Sequence, residues 1–77
     1  MDDNKNACDA LVGERVVLIK VKSNGSMETF IGRMYADHDY DSTRYTVDRS
    51  SYWDSSSFTP YDVVAVVGNL IVVESLQ

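Results

Sequence analysis

Asp62 to Glu74, reading DVVAVVGNLIVVE, is the stretch on which the fold turns: two apolar, largely β-branched runs separated by Gly68 and Asn69. Val and Ile suit a pleated, half-buried surface, and Gly at the first central position of a two-residue loop suits a type II′ turn. The stretch therefore reads as a β-hairpin. That turn sets the register, with Val66 facing Ile71 and Val64 facing Val73 on one side, Val67 facing Leu70 and Ala65 facing Val72 on the other. Both faces are apolar. A hairpin at the rim of a monomer normally offers water a polar row, so this one is expected to be covered on both sides, in part by another copy of the chain. The expected oligomer interface is Val63, Val64, Ala65, Val66, Val67, Leu70, Ile71, Val72 and Val73.

Size gives the same direction. A chain of 77 residues reads as a single domain spanning residues 1–77, and one that short buries only about 60% of its extended surface, so it needs disulfides, a metal or partners. One cysteine, Cys8, makes no internal bridge, and one histidine forms no zinc-ligand cluster, which leaves oligomerisation. No cofactor is called for. Hydrophobic content of 44% and charged content of 25% belong to a globular chain. The unpaired thiol, the polar, acidic start MDDNKNACD and the lack of a membrane-length apolar run lead to the expectation of a cytoplasmic protein with no membrane partner. A net charge of −5 opposes indiscriminate binding to phosphate backbones.

Upstream, residues 1–10 read as a polar segment and the start of a short helix capped by Asp3 or Asn4, running through Leu11 and Val12 with Gly13 as its C-terminal cap. Arg15 to Lys22 alternates as a strand, with Val17, Ile19 and Val21 on one face and Lys20 and Lys22 on the other. Asn24-Gly25 predicts a two-residue turn that sets Ile19 opposite Phe30 and Val17 opposite Gly32, the glycine allowing a sharp bend or a close backbone approach. Met27 to Tyr35 is the returning strand, DHDYD at 37–41 an acidic connection, and Thr43 to Asp48 a third strand with Tyr45 and Val47 on one face. Residues 49–61, RSSYWDSSSFTPY, read as a variable protruding loop. Its Tyr52, Trp53 and Phe58 are candidates for gripping a protein partner or stacking on bases. The sum is five antiparallel strands behind one helix.

The order of LVGERVVLIKVK, the NGS turn, FIGRMY, TRYTVD and VVAVVGNLIVVESL, with Leu11, Gly13, Gly25, Gly32 and Gly68 as anchors, resembles the Sm-like (LSm) proteins over nearly the whole chain from Leu11. The resemblance implies a mostly β fold, a short N-terminal helix followed by a strongly bent five-stranded antiparallel SH3-like barrel, in a chain of bacterial or phage origin. It implies rings in which the fourth strand of one subunit pairs with the fifth of the next, and head-to-tail contacts that close leave no free edge in a ring of about five to seven copies. It further implies single-stranded RNA as a partner, with His38, Asp39, Tyr40, Ser42, Gly68 and Asn69 at the positions of the family's binding motifs. The chain departs from those motifs: no Asn stands in the 37–42 segment where one is expected, and Val67 precedes Gly68 where the family has a basic residue. The alternative reading is therefore a homomeric ring scaffold or protein-binding adaptor without RNA.

Other chemistry is weaker. Asp37, Asp39, Asp41 and Asp48 imitate calcium-loop spacing, but Ser42 stands where an EF-hand needs Gly and strands stand where it needs helices, so no metal site is expected. His38 has no nucleophile and orienting group to form a triad, and the chain is not expected to be an enzyme. Lys20, Lys22 and Arg33 read as solvated charges on the first hairpin, and Arg44 as a neighbour of the acidic segment.

Overall fold

The computed structural model describes residues 2–40, 42–48 and 55–74. Its elements run α1 (Asp2–Ala10), β1 (Arg15–Val21), β2 (Met27–His38), β3 (Thr43–Asp48), β4 (Ser55–Phe58), the 3-10 turn η1 (Pro60–Asp62), β5 (Val63–Val67) and β6 (Leu70–Glu74). The protein is mostly β, with one short N-terminal helix and a six-stranded mixed sheet in the order β4-β3-β2-β1-β6-β5 that does not close on itself.

β2 organises the bend. Its residues Met27 to Arg33 pair with β1, whereas Met34 to His38 pair with β3. The change of partner comes directly after Gly32 and Arg33, so one strand serves two half-sheets that wrap a common core. Backbone bonds fix the corner, from the Gly13 amide to the Met34 carbonyl at 2.7 Å and from the Met34 amide to the Glu14 carbonyl at 3.0 Å. Within lie Val16, Leu18, Met34, Tyr45, Val47, Phe58, Ile71 and Val73, closed by Cys8 of α1.

The expected five antiparallel strands give way to six with one parallel pair. The added strand, β4, comes from the Ser-rich segment: Ser56 and Phe58 alternate inward, Ser55 and Ser57 outward, and β4 pairs antiparallel with β3. Residues 49–61 are thus not one protruding loop, although Tyr52 and Trp53 lie outside the described residues. The parallel pair arises because the last hairpin docks through β6, so that Leu18 lies beside Ile71 and Val17 beside Leu70.

The final hairpin follows its predicted register near the turn, with Val67 opposite Leu70, Val66 opposite Ile71 and Ala65 opposite Val72. Gly68 has φ +60° and among the described residues no non-glycine residue has positive φ, Asn69 included, as a type II′ turn requires. Farther out, a bulge extrudes Val64 and sets Val63 opposite Val73. The bulge follows from burial: Val63 enters the core while Val64 faces solvent, and the Asn4 amide donates to the Val63 carbonyl at 3.3 Å.

The first hairpin differs by one residue. Leu18, not Ile19, stands opposite Phe30, and Val16, not Val17, opposite Gly32. The Lys22 amide donates to the Ser26 carbonyl at 2.8 Å and the Gly25 amide to the Lys22 carbonyl at 2.9 Å. The loop is therefore the three-residue form with Gly25 left-handed at φ +88°. The Asn24 carboxamide oxygen, accepting from the Ser26 amide at 3.0 Å and hydroxyl at 2.7 Å, favours this longer loop. Because side chains alternate, Val16 and Leu18 become core, and Val17, Ile19 and Val21 line the outer face. Lys20 falls on the inner side, where its ammonium reaches the Ser56 hydroxyl at 3.3 Å.

α1 starts at Asp2, so Asp3 and Asn4 lie inside its first turn and neither is its cap; it ends at Ala10, before Leu11 and Val12. No described helix is long and apolar enough to cross a membrane.

Candidate functional site

A chain of charged hydrogen bonds ties α1 to the sheet and thereby builds one wall of an open cavity. The Tyr45 ring is fully buried, 5.4 Å from that of Phe58, yet its hydroxyl emerges to donate to Asp9 Oδ1 at 2.6 Å. Lys5 Nζ donates to Asp9 Oδ2 at 2.8 Å. These bonds, the one from Lys5 first and that from Tyr45 second, hold the Asp9 carboxyl below its ordinary range. Burial, then the bond to Asp9, pushes the Tyr45 hydroxyl up. Burial and the neighbouring Asp9 raise the Cys8 thiol to about 11, and a thiol so protonated is a poor nucleophile.

The cavity has a volume of about 610 Å³ and lies between Asn4 and Lys5 of α1, His38, Asp39, Tyr40, Ser42 and Thr43 between and at the ends of β2 and β3, and Thr59, Pro60, Tyr61 and Val63 around η1. Each wall is locally ordered. At the turn, the Asp39 amide donates to the Ser42 carbonyl at 2.8 Å, and the Tyr40 amide to Asp39 Oδ1 at 2.8 Å. His38 Nδ1 lies 3.1 Å from the Thr43 hydroxyl. Opposite, the Asp62 carboxylate accepts from the Thr59 amide at 2.9 Å and hydroxyl at 3.2 Å, fixing η1. Two tyrosines, Tyr40 at 100% exposure and Tyr61 at 96%, are left in water at the mouth.

No protein-family model, curated protein or solved structure significantly matches the chain. The site must be read from its own chemistry. Two exposed phenol rings, a histidine, an ammonium group, the Asp39 carboxylate and several hydroxyls line a largely apolar cleft with polar groups at intervals, a combination that accepts a planar ring and hydrogen-bonds its edge.

Of the predicted RNA-binding residues, His38, Asp39, Tyr40 and Ser42 share this cavity. Gly68 and Asn69 do not line it; they form the β5–β6 turn beside β1, where the Val17 backbone amide donates to the Asn69 carbonyl at 2.9 Å and the Asn69 side-chain Nδ2 to the Arg15 carbonyl at 3.4 Å. Sequence reasoning did not place Asn4, Lys5, Thr43, Thr59, Pro60, Tyr61 or Val63 at this site. An exposed aromatic after a Thr-Pro turn was the available signal for Tyr61. Asp37 and His38 prove to be strand residues opposite Arg44 and Thr43, not part of a short acidic connection.

Phe58 is not a free partner-binding aromatic, because it packs in the core against Tyr45. Among the expected interface residues, Val63, Ile71 and Val73 also face the core, with Val66 packed against it. Ala65, Leu70 and Val72 are half-buried on the opposite face, and Val64 and Val67 are exposed. The calcium-like spacing is broken: Asp37 stands opposite Arg44 and Asp48 four residues farther along β3, about 13 Å away. Among the described residues no three His, Cys, Asp or Glu side chains gather as metal ligands.

Proposed function

We propose that this protein is a diverged Sm-like module that assembles head to tail with copies of itself and binds single-stranded RNA by stacking bases at the Tyr40–Tyr61 cavity. The observation that carries the reading is the convergence of His38, Asp39, Tyr40 and Ser42 with Tyr61 around one open cleft. Stacking on aromatic rings tolerates an acidic chain better than phosphate neutralisation does, since its favourable energy comes from the base and not from the backbone. Assembly is supported by the two ends of the sheet, β4 on one side and β5 on the other. β5, reading VVAVV, pairs with β6 on one side only, and its outer edge, against which no described strand lies, is a template for another strand, with β4 of a neighbour a complementary edge.

The test is a titration of fluorescent oligouridine and oligoadenine against protein of verified assembled mass, at two salt concentrations. Saturable, base-selective binding that weakens by roughly 5- to 150-fold in Tyr40→Ala and Tyr61→Ala is expected, the range for one lost base–aromatic stack. Absence of binding at low salt refutes the RNA reading. The exposed Val67 beside Gly68, where a basic group would contact phosphate, favours a second reading, a ring scaffold without RNA. That reading predicts intact assembly with no oligonucleotide affinity.

A further inference from the structure

The half-sheet β2-β1-β6-β5 has a second face, opposite the core, and its composition is as informative as the cavity. One row across it, read from the strand pairings, is Ile31, Val17, Leu70 and Val67. The next row holds Ile19 and Val72 at its centre. Ile31 is 44% exposed and Val67 69%. α1, the described helix, packs through Cys8 on the other side of the sheet, so no described helix covers these rows.

Charge is placed at the two ends of this face and not within it. Arg15 and Arg33 stand side by side at one end. Glu74 stands beside Val21 at the other. We propose that this face docks on the same face of a second copy about a two-fold axis lying along the rows. The Ile31–Val67 row of one copy then covers the Ile19–Val72 row of its partner, and vice versa. The same rotation lays Arg15 over the partner's Val21, one strand spacing of about 4.8 Å from the partner's Glu74. A rotation about the strand direction would instead set arginine on arginine. The face is thus self-complementary in one orientation, as an isologous contact requires.

The area limits the contact. Four strands about 4.8 Å apart and four rows about 7 Å apart give roughly 500 Å² per copy. That is below the approximately 800 Å² per partner of standard-size interfaces and in the range of weak, transient ones, so the contact is expected to be reversible. It is distinct from edge pairing through β5 and β4, and it does not depend on RNA.

Sedimentation velocity of the full chain from about 1 μM to 1 mM tests it, a range that covers weak association. A reversible dimerisation step is expected, weakened at least tenfold in Ile31→Lys and, should that variant lose its circular-dichroism signature, in Val67→Lys. Arg15→Glu and Glu74→Arg are each expected to weaken the step and the double exchange to restore it, a rescue that mere destabilisation would not give. Val64→Lys with Ser57→Lys, which load the two sheet edges with charge, are expected to abolish ring assembly and leave this step intact. A chain that stays monomeric at 1 mM, or a dimer indifferent to Ile31→Lys and Val67→Lys, overturns the proposal. A dimer lost only in the edge variants also overturns it while leaving the ring reading standing.

Discussion

Replacing Tyr45 by Phe removes one oxygen from the core's most consequential polar contact and leaves the ring in place against Phe58. The lost bond is the 2.6 Å donation to Asp9, whose other oxygen keeps Lys5 at 2.8 Å. A hydrogen bond to an ionised partner contributes about 1.5–3 kcal/mol. Asp9 is 35% exposed, so water replaces part of it and we expect a loss of about 1–2 kcal/mol. In a domain this small each kcal/mol moves the midpoint by about 4–8 °C, giving a fall of roughly 5–15 °C. The pH dependence identifies the partner. Asp9 is held below its ordinary range, so its contribution is complete above the unfolded-state value near pH 4 and disappears as pH falls through the folded value. Tyr45 is shifted upward, so its contribution is complete below the unfolded value near pH 10 and is lost above it. Urea unfolding of both proteins at one fixed concentration, at pH 7 and at steps downward from about pH 4, is the assay. The gap is expected to narrow as pH falls through the folded value of Asp9, toward that of a neutral hydrogen bond. A gap below about 0.3 kcal/mol at pH 7, or one that stays constant down to the acid limit of the folded state, refutes the assignment of the bond to an ionised Asp9.

Phe58→Ala should destabilise by about 3–5 kcal/mol in denaturant titration, the cost of emptying a core aromatic site; a change within experimental error would return Phe58 to the surface. Gly68→Ala meets no atom within 4 Å of its new Cβ, so any loss reports backbone strain at φ +60° alone, about 1–2 kcal/mol by thermal unfolding. Cys8, fully buried and raised to about 11, should resist an aromatic disulfide reagent at pH 8 in the native state and react at once in urea. Rapid stoichiometric labelling of the folded protein would contradict its place in the core.

Strand identity was legible because β-branched alternation acts over a few residues, whereas register and direction depend on choices the pattern leaves degenerate. Asn24-Gly25 is compatible with a two-residue loop, but the Asn24 side chain bonded to Ser26 supports the three-residue form, and one residue exchanges the two faces of β1. Apolar residues on both sides of that strand, Val16 and Leu18 against Val17 and Ile19, made either register plausible by composition. The same degeneracy hid the parallel pair. Both arms of the last hairpin are apolar, so nothing local states that β6 and not β5 lies against β1. β4 escaped notice because Ser56 is a weak strand former whose inward position is supported by Lys20 from a strand 36 residues away.

The candidate site was half legible for a related reason. His38, Asp39, Tyr40 and Ser42 are neighbours in sequence, and a polar turn carrying an aromatic advertises itself. Their opposite wall is built by tertiary contacts that no window of sequence contains. Tyr45 reaches through the core to Asp9, Asn4 reaches Val63, and the Asp62 carboxylate folds back on Thr59. Tyr61 and Tyr40 line one cavity only because helix and η1 are held in this way. Perturbing Tyr45 should therefore alter ligand affinity through the position of α1, even though its buried ring does not line the cavity. The Tyr45→Phe variant separates the two roles of that residue: a fall in stability with unchanged oligonucleotide affinity would make it purely a fastening of the helix, and a fall in both would make the fastening part of the site.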